Sequence, residues 1–180
     1  NETNIEKMGG LKDKIGITHK TFMCGGLAIA GIPIFAGFWS KDEILWKAFG
    51  ESWILWMVGS LVAGLTAFYM FRMIFLVFYG KSRVDNDVAI HIHESPKVMT
   101  IPLIILAGLS VVGGLINIPH FAPTFEHFLD PVITKYANIE SAHHYPFSLE
   151  VVFMGISVVI ALIGIFFAHK FYLKDPTAPD

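Results

Sequence analysis

The chain has 180 residues, of which 54% are apolar and 16% charged, and its formal net charge is −2 at pH 7. Soluble domains carry about a quarter charged residues, so this composition argues against an ordinary soluble globule, a disordered chain and a basic nucleic-acid-binding surface. The single cysteine, Cys24, excludes a disulfide framework and a cysteine-rich metal site.

Four apolar runs are long enough to cross a bilayer, which takes about 20 mostly apolar residues. None of them alternates with a period of two, which argues against barrel strands. We therefore predict an all-α membrane protein with four transmembrane helices, over about residues 18–49, 52–79, 98–118 and 149–171. Because the chain begins at Asn1 in polar sequence without a Met, we expect a fragment of a larger helical bundle.

The first predicted span is interrupted near Pro33. Proline removes a backbone donor and clashes with the preceding turn of a helix, and Gly31 and Gly37 bracket it. The predicted half-helix from Thr18 to Ile32 should therefore break or kink here, at an unwound link.

A second half-helix is predicted from Lys41 to Phe49, because Ser40 and Glu43 have the spacing of a capping box. At 1.5 Å per residue, Lys41 falls past the middle of the hydrocarbon core. Ionisable groups at that depth are costly and usually functional. Lys41 and its neighbour Asp42 are therefore candidate proton-transfer residues, and a solvated turn between two ordinary spans is the open alternative.

Positive charge predicts the orientation of the spans. With four spans, the N-terminal tail, the loop after residue 79 and the C-terminal tail share one side. Ten basic residues lie on or close to that side: Lys7, Lys12, Lys14, Lys20, Arg72, Lys81, Arg83, Lys97, Lys170 and Lys174. Three lie on the other: Lys41, Lys47 and Lys135. The positive-inside rule then predicts that both ends are cytoplasmic and that the loop 119–148, with a short amphipathic helix around Thr124–Lys135, is periplasmic.

Other polar residues suggest structural roles. Arg72 is expected at the cytoplasmic interface as an anchor, and Thr66 and Tyr69 precede it on one stripe, which is interpreted as a packing face. The spacing of His91, His93 and Glu94, like the pair at His143 and His144, is only weakly typical of a metal site, because no further ligand is placed. We predict no metal and no cofactor in this chain.

Several blocks of the sequence resemble one family. They are Lys7-Met-Gly-Gly-Leu, Leu27-Ala-Ile-Ala-Gly-Ile-Pro, Phe35-Ala-Gly-Phe-Trp-Ser-Lys-Asp-Glu-Ile-Leu, Tyr69-Met-Phe-Arg-Met, His93-Glu-Ser-Pro and Met99-Thr-Ile-Pro-Leu. They look like the antiporter-like subunit L, or chain 5, of bacterial respiratory complex I, the proton-translocating NADH–quinone oxidoreductase.

The resemblance implies a role for the interrupted span. In this family the corresponding helix is broken, and its lysine is the last proton carrier near the outlet, a role that falls on Lys41 with Asp42 beside it. Earlier helices of the family carry further proton-path groups that this chain lacks. NADH, FMN, iron–sulfur clusters and quinone would be bound by partner subunits.

The resemblance also implies partners and a location, with alternatives left open. We expect contacts with the other membrane subunits, especially neighbouring antiporter-like subunits, and with lipid, in the bacterial inner membrane, and none with nucleic acid. The large subunit of a multisubunit Na⁺(K⁺)/H⁺ antiporter and a subunit of a membrane-bound hydrogenase or formate-linked complex contain similar modules. A membrane anchor without a proton role is the simplest alternative.

Overall fold

The computed structural model describes residues 3–118, 122–123, 128 and 146–174, and nearly all of that part is helical. Its α-helices are α1 (Gly16–Ala30), α2 (Ala36–Glu51), α3 (Trp53–Phe78), α4 (Asn86–Ala89), α5 (Lys97–Val112) and α6 (Phe147–His169). Short 3₁₀ turns lie at Ile5–Lys7, Leu11–Asp13 and Gly113–Ile116, and a π-helical turn, Lys170–Lys174, extends α6. Two-residue strands, β1 (Asn117–Ile118) and β2 (Ala122–Pro123), pair antiparallel.

Three of the described helices are long and apolar enough to cross a membrane. They are α3, α5 with the turn that follows it to Leu115, and α6 with its π-helical turn. Most of the surface of α5 and α6 is apolar and exposed, as in helices that face lipid or further helices. The chain is thus a mostly helical, multi-pass membrane protein. The predicted loop 119–148 and its short amphipathic helix fall almost entirely outside the described residues.

The helices α3 and α6 pack side by side in the same direction, and small residues bring them close. A Cβ at Gly164 would lie 2.6 Å from the Gly64 carbonyl oxygen, and one at Gly64 would lie 2.9 Å from the Ile160 side chain. Ala67 and Ala168 are completely buried in this contact region. Because lipid provides no hydrophobic drive between helices, this close approach is what holds the pair together.

The helices α1 and α2 cover successive halves of α3. The ring of His19 packs on Phe78, and Gly26 faces Ile74, so α1 runs along the second half of α3. Further along, Leu45 faces Gly59, so α2 runs along the first half. The segment between α1 and α2 therefore lies opposite the middle of the 26-residue α3.

Aromatic rings close the end of the bundle where α2 meets α3. Phe153 of α6 packs against Phe49 in a tilted arrangement at 4.4 Å and edge-to-face against Trp56 at 4.9 Å between ring centroids, and Trp46 packs on Phe153 at 5.7 Å. Aromatic side chains are typical of helix ends at a membrane–water interface. The cluster fixes α2, α3 and α6 relative to one another at this end.

Candidate functional site

The helix α1 ends in a Schellman motif at Gly31, which has the left-handed φ of 78°. The Gly31 N–H donates to the Ala28 carbonyl, and the Ile32 N–H donates to the Leu27 carbonyl, both at 3.1 Å. A residue without a Cβ is favoured at this position. Gly31 thus ends α1 at Ala30, two residues before the predicted end at Ile32.

The connection to α2 is short and contains an unusual backbone conformation. Only five residues, 31–35, separate the two helices, and Ile34 has a φ of 86° with its side chain 69% exposed. A positive φ is strained for a β-branched residue. Pro33 lies inside this connection, where it interrupts no helix hydrogen bond.

The predicted start of the second half-helix is wrong. The structure begins α2 at Ala36, with the extended residue Phe35 before it, and not at Lys41. The Ser40 hydroxyl lies one turn inside α2 and contacts the carbonyls of Ala36 and Gly37 at 3.4 Å, so it caps nothing. The capping-box pattern failed because the turn at residues 31–35 completes the change of direction before Ser40 is reached.

Gly37 does not break a helix either. It lies in the first turn of α2, where a Cβ would collide with the Ala28 carbonyl of α1. Its function is therefore close packing, since the start of α2 can approach the end of α1 only without a side chain at this position.

Lys41 binds the free end of α1. Its Nζ donates to the Ile29 carbonyl oxygen at 3.2 Å, and its aliphatic stem passes Gly31, where a Cβ would lie 3.2 Å from Cδ. The last carbonyls of a helix lack partners within the helix and form the negative end of its dipole. An ammonium group at this position both completes a hydrogen bond and is stabilised by the dipole.

Asp42, the next residue on α2, faces α6. It is only 5% exposed, and its carboxyl group lies close to the Ser157 side chain. Its second oxygen, Oδ2, is buried and has no hydrogen-bond partner among the described residues. A buried carboxylate is costly unless it is paired or hydrogen-bonded. Lys41 and Asp42 are thus neighbours on one helix that contact different elements.

Glu94, in the segment before α5, caps the start of α1. Its carboxylate accepts hydrogen bonds from the N–H groups of Ile17 at 2.6 Å and Thr18 at 3.3 Å, and from the Thr18 hydroxyl at 2.7 Å. In the sequence, Glu94 is only a weak candidate metal ligand, next to His91 and His93. No local pattern identifies it, because its partners are 76 and 77 residues away.

The hydrogen bonds also set the acidity of Glu94, which lies outside the membrane-spanning segments. Burial works to raise the pKa of this carboxyl group. The hydrogen bonds from the Thr18 hydroxyl and from the backbone of Ile17, Ser95 and Thr18 outweigh burial and lower the pKa below its usual value. Glu94 is therefore held as a carboxylate at the positive end of the α1 dipole.

Arg72 has a partner inside the protein. Its Nε donates to the Tyr172 hydroxyl at 3.0 Å, and its guanidinium lies 5.3 Å from the centre of that ring. The polar stripe that precedes Arg72 faces outward in this chain: Tyr69 is 54% exposed, and the Thr66 hydroxyl donates to the Val62 carbonyl of its own helix at 2.7 Å. Arg72 thus joins α3 to the end of α6.

The sequence is similar to a family of membrane proteins. Residues 1–68 match the family described as NADH:quinone oxidoreductase/Mrp antiporter, transmembrane. The chain is 43% identical, over 98% of its length, to NAD(P)H-quinone oxidoreductase chain 5 of Picosynechococcus, and 42% identical, over 96%, to the chloroplastic subunit 5 of Mesostigma viride. It is 36% identical, over 92%, to NADH-quinone oxidoreductase subunit L of Rickettsia bellii.

These relatives are much longer than the chain, which spans 29%, 26% and 26% of their respective lengths. The matched part includes the interrupted α1–α2 pair with Gly31, Pro33, Lys41 and Asp42.

Proposed function

The chain is related, over nearly its whole length, to the chain-5 and subunit-L proteins of NAD(P)H-quinone oxidoreductases, and we propose that it is part of a proton-translocating membrane subunit of such a complex. In this proposal, partner subunits oxidise NADH and reduce quinone, and they hold the FMN and the iron–sulfur clusters. The contact between the Lys41 ammonium and the end of α1 is the observation that carries the proposal.

In this proposal α1 and α2 form one interrupted membrane crossing, which is the first of four. Two arguments support it: each helix alone is shorter than a span, with 15 and 16 residues, and together they follow α3 along its length. Lys41 then lies near the middle of the bilayer, where an interrupted helix is tolerated because it packs in protein.

We place the protein in the bacterial inner membrane, with the start of α1 and the end of α6 on the cytoplasmic side. The excess of Lys and Arg on that side supports this orientation. Neighbouring antiporter-like subunits would cover apolar surface that the described residues leave exposed.

Lys41 acts in this mechanism as a proton carrier. In its protonated form, the ammonium group donates to the Ile29 carbonyl and is stabilised by the negative end of the α1 dipole. When the proton leaves, that electrostatic stabilisation is lost, and the side chain is free to leave the carbonyl. Asp42 adjoins Lys41 on α2, so a change in the charge of Asp42 would change the electrostatic interaction with the Lys41 ammonium.

The test is the Lys41→Ala substitution in the intact complex, with proton translocation measured in sealed vesicles per NADH oxidised. We expect a large loss of translocation. Lys41→Arg should also fail, because arginine keeps its proton. Lys47→Ala is the matched control, since Lys47 is on the same helix, 64% exposed, and paired with Glu43 at 2.7 Å. Translocation equal to the unsubstituted complex in Lys41→Ala would refute the proposal.

An Mrp-type cation/proton antiporter is the second candidate, because the matched family includes such proteins by its description. In that case transport by the intact assembly would exchange Na⁺ or K⁺ for protons and would not depend on NADH or quinone. Measuring transport with and without Na⁺, and with and without NADH, distinguishes the two.

A further inference from the structure

The contact between α2, α3 and α6 contains buried polar atoms that the mechanism above leaves unexplained. Asp42 Oδ2 and Ser60 Oγ are both buried and have no hydrogen-bond partner among the described residues, and each residue is 5% exposed. Trp56 Nε1, one turn from Ser60 on α3, is a third such atom. Buried polar groups in native proteins are nearly always hydrogen-bonded, so these orphaned atoms require a partner.

The register of the helices brings these atoms to the same place. On α3, Ser60 lies between Trp56, which contacts Phe153 of α6, and Gly64, which contacts Ile160 of α6. Ser157 lies between Phe153 and Ile160 on α6, and its side chain lies close to the Asp42 carboxyl group. Ser60 and Ser157 are therefore at the same height along α3 and α6, which are in close contact. Both are on the side of this helix pair that faces Asp42 of α2.

We propose that a buried water molecule joins Asp42 Oδ2 to Ser60 Oγ, and that Ser60 and Ser157 are positioning residues for the Asp42 carboxylate. A buried water typically makes about three hydrogen bonds to groups that otherwise lack partners. The carboxylate accepts one hydrogen bond from the Ser157 hydroxyl and a second from the water, while Ser60 and Trp56 supply the remaining partners of that water.

This inference rests on the proposed function, because Asp42 acts there by tuning Lys41. The Ser157 hydroxyl and a water held by Ser60 would both donate to the Asp42 carboxylate and fix its position. The arrangement also makes α6 a part of the proton-transfer site. An aliphatic residue at position 157 or 60 would leave a carboxylate oxygen without a donor.

The experiment uses the intact complex and two readouts. Ser60→Ala and Ser157→Ala should each lower proton translocation per NADH oxidised by about fivefold, the change that loss of one net hydrogen bond produces. Infrared difference spectra recorded on addition of NADH should show a water band that shifts in oxygen-18 water and disappears in Ser60→Ala. The Asp42 carboxyl band, assigned with Asp42→Asn, should move in Ser157→Ala and return in Ser157→Thr, which keeps the hydroxyl.

Thr66→Ala is the matched control, because Thr66 is half-buried on α3 and its hydroxyl donates to the Val62 carbonyl of its own helix; it should change neither readout. A Ser60→Ala complex that keeps the oxygen-18-sensitive band overturns the inference. Normal translocation in both serine variants overturns it as well, provided that Lys41→Ala is impaired. If Lys41→Ala is normal, the proposed function fails, and the infrared bands still decide whether the water is present.

Discussion

The Glu94 carboxylate and the Lys41 ammonium bind opposite ends of the same helix, α1. Glu94 accepts from the N–H of Ile17 in the first turn, and Lys41 donates to the carbonyl of Ile29 in the last. The two backbone groups are about 18 Å apart at 1.5 Å per residue. Each charge has the sign that the dipole favours at its end, so the cap at one end helps to hold in place the helix that positions Lys41 at the other.

Removing the charge of Glu94 should loosen the first turn of α1. Glu94→Gln keeps the size of the side chain but weakens charge-assisted hydrogen bonds to two backbone N–H groups and to the Thr18 hydroxyl. We expect a loss of about 0.5–2 kcal/mol of local stability, as for other N-caps. Hydrogen exchange at the amides of Ile17 and Thr18, by mass spectrometry, measures it. Asp87→Asn, which changes an exposed carboxylate of α4, is the control, and equal protection of the two amides in both variants would contradict the prediction.

The same cap should depend on pH. Because the pKa of Glu94 is lower in the folded protein than its usual value, its contribution to stability is fully present above that usual value. The contribution is lost as the pH falls through the lowered pKa, where the carboxylate takes up a proton. Protection of the first-turn amides should therefore fall with acidification in the unsubstituted protein. In Glu94→Gln, protection should be low and insensitive to pH over this range, after correction for the intrinsic exchange rate; a parallel fall in both would refute the assignment.

Lys41, Asp42 and a break near Pro33 can be predicted from the sequence, whereas the contact of Glu94 with α1 cannot. Proline and glycine act on their own neighbours, so Gly31 and Pro33 are visible in the sequence. Glu94 reaches its partners only after α5 and α1 are brought together. For the same reason Ser40 was misread as a cap: its spacing to Glu43 is local, whereas the start of α2 depends on the approach of Gly37 to Ala28 of α1.

Close packing of α3 and α6 predicts a strong contrast between two glycines of α6. In Gly164→Ala the new Cβ would meet backbone atoms, the Gly64 carbonyl oxygen at 2.6 Å and the Phe68 nitrogen at 3.2 Å, so the helices must separate. We expect a loss of about 1–3 kcal/mol, as in other overpacked contacts. Gly155→Ala is the control, because its Cβ would meet nothing within 4 Å, and it should leave stability equal or higher. Melting of the detergent-solubilised subunit measures both, and similar melting temperatures would show that the helices are not in close contact.

Gly31 links the backbone turn to the position of Lys41, and its substitution should affect both. Gly31→Ala places a Cβ on a residue with a φ of 78°, which costs about 1–2 kcal/mol. The same Cβ would lie 3.2 Å from Lys41 Cδ and 3.8 Å from its Nζ, so the lysine must shift relative to the Ile29 carbonyl. We therefore expect both a lower melting temperature and less proton translocation per NADH oxidised in the intact complex. Gly25→Ala, in the same helix and with no described atom within 4 Å of its Cβ, should leave translocation unchanged and stability equal or higher. If Gly31→Ala lowers stability and leaves translocation unchanged, the contact of Lys41 with the end of α1 is not needed for proton transfer by Lys41.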